Sequence, residues 1–215
     1  MKNKFVMAFS GGKDSTLALY RMIKKGYEPV ALLTTIKKDA DKSWTHGINN
    51  KLLQQVSESL EIPLLKVECD VCEYEKEFEN VLTKAKELGA NICAFGDIDI
   101  EEHKKWDIER CNKAGLESIF PLWQENRESL VYEFIESGFT TIIKTVNLDY
   151  LNESFLGKKL TKEVVFEIKS TGSDVCGENG EYHTFVIDGP LFKNKISFEN
   201  KGIVIERNYG HLDII

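Results

Sequence analysis

The sequence predicts an α/β fold: a doubly wound parallel sheet over residues 1–120, followed by a smaller α+β unit over residues 121–215. Three observations carry that expectation. Short apolar, β-branched runs alternate with segments of helical periodicity through the first half. A glycine-rich turn joins the first run to the first helix. After Pro121 the alternation gives way to an irregular mix of short helices and strands.

Lys4 to Phe9 is an apolar run that ends in a glycine-rich turn, and Ser15 to Lys25 then shows apolar residues at Leu17, Ala18, Tyr20, Met22 and Ile23. This reads as strand, loop, helix. Gly26 is a natural helix stop, and Val30 to Ile36 is apolar enough for a second buried strand. The pattern repeats with helix at Ile48 to Leu60, strand at Leu64 to Val67, helix at Glu73 to Leu88, strand at Ile92 to Phe95 and helix at Ile100 to Ala114. Such alternation implies right-handed crossovers between parallel strands. Phe120-Pro121-Leu122-Trp123 is expected as an extended connection, because proline biases its predecessor away from helix. Beyond it come a helix at Glu128 to Glu136, a strand at Thr141 to Val146, a helix at Thr161 to Ile168, and strands near Thr184 to Ile187 and Ile203 to Glu206.

Composition narrows the function classes. A net charge of -7 disfavours avid binding to a nucleic-acid backbone, which relies on clustered Lys and Arg. No run of about 18 apolar residues and no signal-peptide pattern occurs, so a cytoplasmic protein without a membrane partner is expected. The five cysteines form an odd set, for which reduced thiols are the default. The oligomeric state stays open, a homodimer included.

Ser10-Gly11-Gly12-Lys13-Asp14-Ser15 sits where a strand ends and a helix begins, so backbone N–H groups and the helix N-terminus can converge on a phosphate. Gly11 and Gly12 allow close approach, Ser10 and Ser15 offer hydroxyls, and Lys13 offers a charge for the polyphosphate. Asp14 would repel that polyphosphate unless it helps to hold Mg²⁺. The spacing fits neither GxxxxGK[ST] nor GxGxxG. The bland alternative is an ordinary capped turn. Gly96 and Asp97 follow a strand that a doubly wound sheet sets beside the first one, so they are placed to border the same ligand. Thr34 and Thr35, ending the second strand, are placed to meet adenine or ribose, although strand threonines are common for packing alone.

Cys176-Gly-Glu-Asn-Gly-Glu-Tyr-His-Thr-Phe185 is the second candidate region. Two glycines permit a turn from which Glu178 and Glu181 project together, and paired carboxylates can position an amine or accept a proton. A solvated hairpin is the competing reading. His46 sits in a polar loop from which it reaches phosphates, closes as a lid, or stays exposed. Cys69 and Cys72 have the spacing of a metal or redox pair without a second pair to complete it. His103 is given no role, and Trp44, Trp106 and Trp123 either line a cleft or supply core.

The segments SGGKDS, GDIDIEEHKKW, FPLW and GENGEYHTFVIDGPLF together resemble the diphthine–ammonia ligase family, within the PP-loop N-type ATP pyrophosphatases. The resemblance implies a Rossmann-like ATP-binding domain and a smaller substrate domain. It also implies adenylation of a carboxylate and its amidation by ammonia, with release of AMP and pyrophosphate. On that reading Ser10 to Ser15 bind the ATP phosphates, Gly96 and Asp97 line the nucleotide site, and Glu178, Asn179 and Glu181 face the acceptor or ammonia. The acceptor is diphthine on elongation factor 2 where the host makes diphthamide. Two departures fall on the substrate side: His183 stands where many relatives carry glutamate, and Lys42-Ser-Trp-Thr-His-Gly47 replaces a tyrosine-rich segment. An RNA-thiolating enzyme using Cys69, Cys72 or Cys176, and a nucleotide-binding module without catalysis, are the rival readings.

Overall fold

The computed structural model describes residues 3–38, 42–44 and 46–215. Thr45, within the substituted loop, lies outside them. The first sheet is built from β1 (Lys4–Ala8), β2 (Glu28–Lys37), β4 (Leu64–Cys69), β5 (Ile92–Ala94) and β6 (Glu117–Ile119), with the short β3 (Lys42–Ser43) antiparallel to the end of β2. All other pairings are parallel, and they give the order β4-β2-β1-β5-β6. Because β2 and β5 flank β1 on opposite sides, the chain reverses direction across the sheet at β1. The crevice at the carboxyl ends of β1 and β5 is therefore the switch point, where ligands of such sheets bind.

Helices cover both faces. Helix α1 (Lys13–Lys24), α2 (Asn50–Leu60) and α5 (Arg127–Glu136) bury their apolar sides in one cluster with Phe5, Met7, Leu32 and Ile92. Helices α3 (Tyr74–Glu87) and α4 (Glu101–Ala114) cover the other face with Val6, Leu33, Cys93 and Phe95. β1 alternates between the two clusters, as a strand buried on both faces must.

The second sheet is antiparallel, in the order β8 (Tyr182–Asp188), β7 (Thr140–Asn147), β10 (Tyr209–Ile214), β9 (Asn200–Glu206), and α6 (Lys162–Ser170) joins it. It docks directly on the first unit. Val186 N donates to Gly11 O at 2.9 Å, so β8 lies against the glycine turn, and Phe185 and Val186 belong to the same core as Phe5 and Leu17. Arg21 on α1 adds a polar tie, donating to Pro121 O at 2.8 Å and to the carboxylates of Glu125 and Glu133.

One expected element is corrected. Residues 120–123 form a turn instead of an extended connection: Trp123 N bonds back to Phe120 O at 3.3 Å, which puts Pro121 at the first central position, where its fixed φ is favourable. β3, β6 and β10 were not anticipated. Among the described residues no helix is long and apolar enough to cross a membrane.

Candidate active site

The glycine turn after β1 leads into α1, whose N-cap Gly12 offers no side chain to its first amides. Some of the loop is already engaged. Lys13 N donates to Thr184 Oγ1 at 3.0 Å, Gly12 N to Ser10 Oγ at 3.3 Å, and the Ser10 and Ser15 hydroxyls lie 3.1 Å apart. The Gly12 and Lys13 amides therefore bond within the protein instead of converging on a ligand. The N–H groups of Asp14 and Ser15, in the first helical turn, have no acceptor among the described residues and carry the positive end of the helix dipole.

Lys13 is only 4% exposed, and its Nζ donates to both carboxylate oxygens of Asp14, at 2.9 and 2.7 Å. Burial opposes its charge, yet Asp14 and the neighbouring Cys176 and Tyr182 hold its pKa well above the ordinary value. It is a fixed cation. Gly96 is held by close approach: a Cβ there would sit 2.8 Å from Ser15 N and 3.0 Å from Ser15 Cα. The end of β5 therefore lies flat against the first turn of α1, and only glycine permits it. Thr34 is turned away from solvent to donate to Phe9 O at 2.5 Å, while Thr35 stays half-buried.

Opposite the loop stands the hairpin before β8. Glu178 faces it, with burial and then the charge of Asp14 pushing its carboxyl up to about 7. Glu181 does not project beside it. That expectation is corrected: Glu181 is 2% exposed and accepts from Asn179 N at 3.0 Å, Asn179 Nδ2 at 3.0 Å and Asp174 N at 3.3 Å. The turn would otherwise leave those donors unmatched, so its carboxylate holds the hairpin together. Asn179 is likewise corrected: besides its bonds to Glu181, its Oδ1 accepts from Arg127 at 3.2 Å. Arg127 also binds Asp99 at 2.7 Å and Asp174 at 2.6 Å, which pins the hairpin to the turn after β5.

Between the two walls lies a cavity of about 760 Å³. Ser10, Lys13, Asp14, Ser15, Thr34, Thr35, Gly96, Asp97, His46, Glu178 and His183 line it; Gly11, Gly12, Asn179 and Glu181 do not. His46 is neither an exposed residue nor a loose lid. Its Nδ1–H donates to Thr184 O at 2.9 Å, and its Cε1 would be 2.5 Å from a Cβ on Gly12, so the ring is seated on the glycine turn. The His183 ring lies 4.9 Å away. Burial lowers His46 to about 4 and His183 to about 3, and Lys13 pushes both the same way, so both imidazoles are neutral near pH 7.

The far end of the cavity is lined by Trp44 and Trp106, which the sequence left between cleft and core, and by Tyr74 and Asp107, which sequence reasoning missed; Trp123 does not line it. Trp44, Tyr74 and Trp106 stack there with centroids 5.4 and 5.1 Å apart. Asp107, 7% exposed, has its carboxyl held well above the ordinary range by burial and by Asp97. His103 also lines the cavity, 3.5 Å from Asp97.

Comparison with known proteins fits this geometry. Family models described as the diphthamide synthase N-terminal domain and the diphthamide synthase C-terminal domain match residues 3–118 and 126–215. The diphthine–ammonia ligases of Rattus norvegicus and Homo sapiens are each 30% identical to the chain, covering 91% of it and 83% of the relative. The chain belongs to the diphthamide synthase family. A tRNA-specific 2-thiouridylase of Mesoplasma florum is 29% identical over 92 residues, 43% of this chain and 20% of the relative. The diphthamide synthase match, by contrast, takes in both sheets and both walls of the cavity, and it makes the chain an ATP-dependent ligase.

The cysteines agree with that assignment over thiolation. Cys69 is buried and Cys72 exposed, and neither lines the cavity. Cys176 does, but burial pushes its thiol far up, which leaves it a poor nucleophile. For Mg²⁺, which members of such families typically use, the donor chemistry is suitable. Ligand atoms of Asp14, Glu178 and Cys176 lie within 4.8 Å of one another. The two carboxylates are the hard oxygen donors that this cation prefers, whereas a protonated thiol is not. A cation there would also relieve the repulsion that holds Glu178 partly protonated.

Proposed function

We propose that this member of the diphthamide synthase family adenylates the carboxylate of diphthine on elongation factor 2 and amidates it with ammonia, releasing AMP and pyrophosphate. Amide ligation with ATP follows from the family; the acceptor and the residue roles are our reading. The observation that carries it is the meeting of Asp14 and Cys176, 162 positions apart, at 3.8 Å, with Glu178 in the same cluster. Phosphate loop and hairpin therefore form opposite walls of one cavity.

ATP lies with its triphosphate over the first turn of α1, held by Lys13, the free amides of Asp14 and Ser15, and the hydroxyls of Ser10 and Ser15, which exchange their mutual contact for phosphate oxygens. Thr34, Thr35, Gly96 and Asp97 border the nucleoside. Asp14 and Glu178 would hold Mg²⁺, which would supply charge neutralisation for the triphosphate. The acceptor carboxylate attacks the α-phosphorus from the hairpin side, and pyrophosphate leaves. Ammonia then attacks the acyl carbon and AMP departs. The proton that the new amide nitrogen loses goes to the departing AMP phosphate or to solvent, because a Glu178 carboxylate engaged with Mg²⁺ would ionise below the value it has in the cation-free site. The neutral His46 and His183 keep positive charge away from the incoming ammonia. Residues 1–120 act as the nucleotide unit and 121–215 as the acceptor unit, in a cytoplasmic setting.

The test is pyrophosphate release with ATP, ammonium and diphthine-bearing elongation factor 2. Release that depends on the modified factor, together with loss of its carboxylate, is expected. ATP turnover indifferent to the factor refutes the acceptor assignment.

A further inference from the structure

His46 enters the chemistry above only as a neutral neighbour, yet its geometry is more specific than that. Its Nδ1 lies 2.9 Å from Thr184 O, and a carbonyl oxygen can only accept, so Nδ1 carries the imidazole proton. In a neutral ring the other nitrogen then carries a lone pair. His46 Nε2 is therefore an acceptor with no hydrogen to give.

Position narrows what it can accept from. Nδ1 faces Thr184 and Cε1 faces Gly12, where a Cβ would come within 2.5 Å, so the Nε2 edge is left to the cavity that the residue lines. Thr184 also ties this ring to the phosphate loop, since its Oγ1 accepts from Lys13 N at 3.0 Å. The His183 ring, 4.9 Å from that of His46, lines the cavity beside it. Triphosphate and carboxylate oxygens are acceptors themselves and gain nothing from a bare ring nitrogen. Ammonia is the small reactant that brings N–H donors.

The polarity of the contact suits a nucleophile. An acceptor that takes one N–H of ammonia leaves the nitrogen lone pair free for the acyl carbon, whereas a donor would occupy that pair. The fixed charge of Lys13, which acts on both imidazoles, opposes ammonium in the same place.

We propose that His46 Nε2, walled by His183, is the ammonia subsite: it accepts one N–H and aims the nitrogen lone pair at the acyl carbon of the adenylate. The C–N bond forms, the bond from the acyl carbon to the AMP oxygen breaks with its electron pair going to AMP, and the imidazole takes no proton. This rests on the reading that ammonia attacks within this cavity.

Two arms test it. In the first, amidation of diphthine-bearing elongation factor 2 is compared for wild type, His46→Phe, which removes the acceptor but keeps a ring on the glycine turn, and His46→Gln, whose Oε1 can stand in for Nε2. The expected result in His46→Phe is an ammonium KM raised at least about tenfold, an ATP KM within about twofold of wild type, and less amide per AMP as water takes the adenylate instead. His46→Gln should recover most of the loss. An unchanged ammonium KM, or equal loss against ammonium and ATP, overturns the subsite. In the second arm the imidazole nitrogens are followed by ¹⁵N NMR in the ¹⁵N-histidine-labelled chain at mildly alkaline pH, where free ammonia is available, with His46 assigned by its loss in His46→Phe. Nδ1 should be protonated and Nε2 bare, and ammonium chloride should move the Nε2 resonance where equal sodium chloride does not. A protonated Nε2, or a resonance indifferent to ammonia, overturns the proposal. This arm needs no acceptor, so failure of the diphthine reading and failure of the subsite are told apart.

Discussion

The phosphate loop and the carboxy-terminal hairpin each crowd glycines, hydroxyls and charged side chains into a few consecutive positions, but they spend those groups differently. In the loop, Lys13 and Asp14 line the cavity and the backbone behind them is shaped by contacts with β8, Gly96 and His46. In the hairpin, most polar groups turn inward. Glu181 gathers three donors, Asn179 and Asp174 are held by Arg127, and Glu178 alone of the two glutamates reaches the cavity. A helix N-terminus presents aligned free amides by construction, whereas a tight turn has donors of its own to match before any group is left for a ligand.

The largest effect that can break this comparison is at Lys13. Replacement by Ala keeps the amide that binds Thr184 but removes the fixed cation, and AMP formation should fall about 100- to 1000-fold. An activity loss of only a few-fold would mean the loop is not the phosphate site.

The two glutamates come next. Glu181→Ala leaves buried donors unmatched and should lower stability in urea by about 3 kcal/mol, whereas Glu178→Ala should not lower stability near pH 7 and should act on turnover. The reverse ranking would overturn the division of labour in the hairpin.

A smaller effect concerns pH. Glu178 ionises near 7 in the fold instead of near 4.5, so the folded state loses stability relative to the unfolded chain as pH rises through that window, on the order of 2 kcal/mol. Glu178→Gln should remove that decline between pH 4.5 and 7 and leave stability higher at pH 7 relative to pH 4.5 than in wild type. His46 contributes in the opposite sense: its stability is complete above pH 6.5 and is lost as pH falls toward 4, and His46→Asn should remove that acid-side loss. Stability curves of the two variants that coincide with wild type would refute both.

The smallest expected effect is at Cys69 and Cys72, where double replacement by Ser should leave amidation within about twofold of wild type. A loss beyond tenfold would bring thiol chemistry back into consideration.

The same contrast explains what the sequence disclosed. Alternating strands and helices were legible because strands buried on both faces are continuously apolar, and the loop was legible because its chemistry is contiguous and its partner is the helix it starts. β6, three residues with Glu117 at one end, and β10, with a glycine and alternating polar residues, lack that signal. Glu178 and Glu181 were expected to project together, but sequence spacing does not say which way each side chain of a turn faces, and only Glu178 reaches the cavity. Arg127 and Asp107 acquire meaning only from partners or burial supplied by distant segments. A residue at a helix start or within a helix carries no mark of such partners.

The most direct measurement uses diphthine-bearing elongation factor 2 with ¹⁸O in the acceptor carboxylate, supplied with ATP and ammonium. If the carboxylate attacks the α-phosphorus between loop and hairpin, each AMP released carries one ¹⁸O from the acceptor. AMP without label, or ADP and phosphate in its place, would contradict the account.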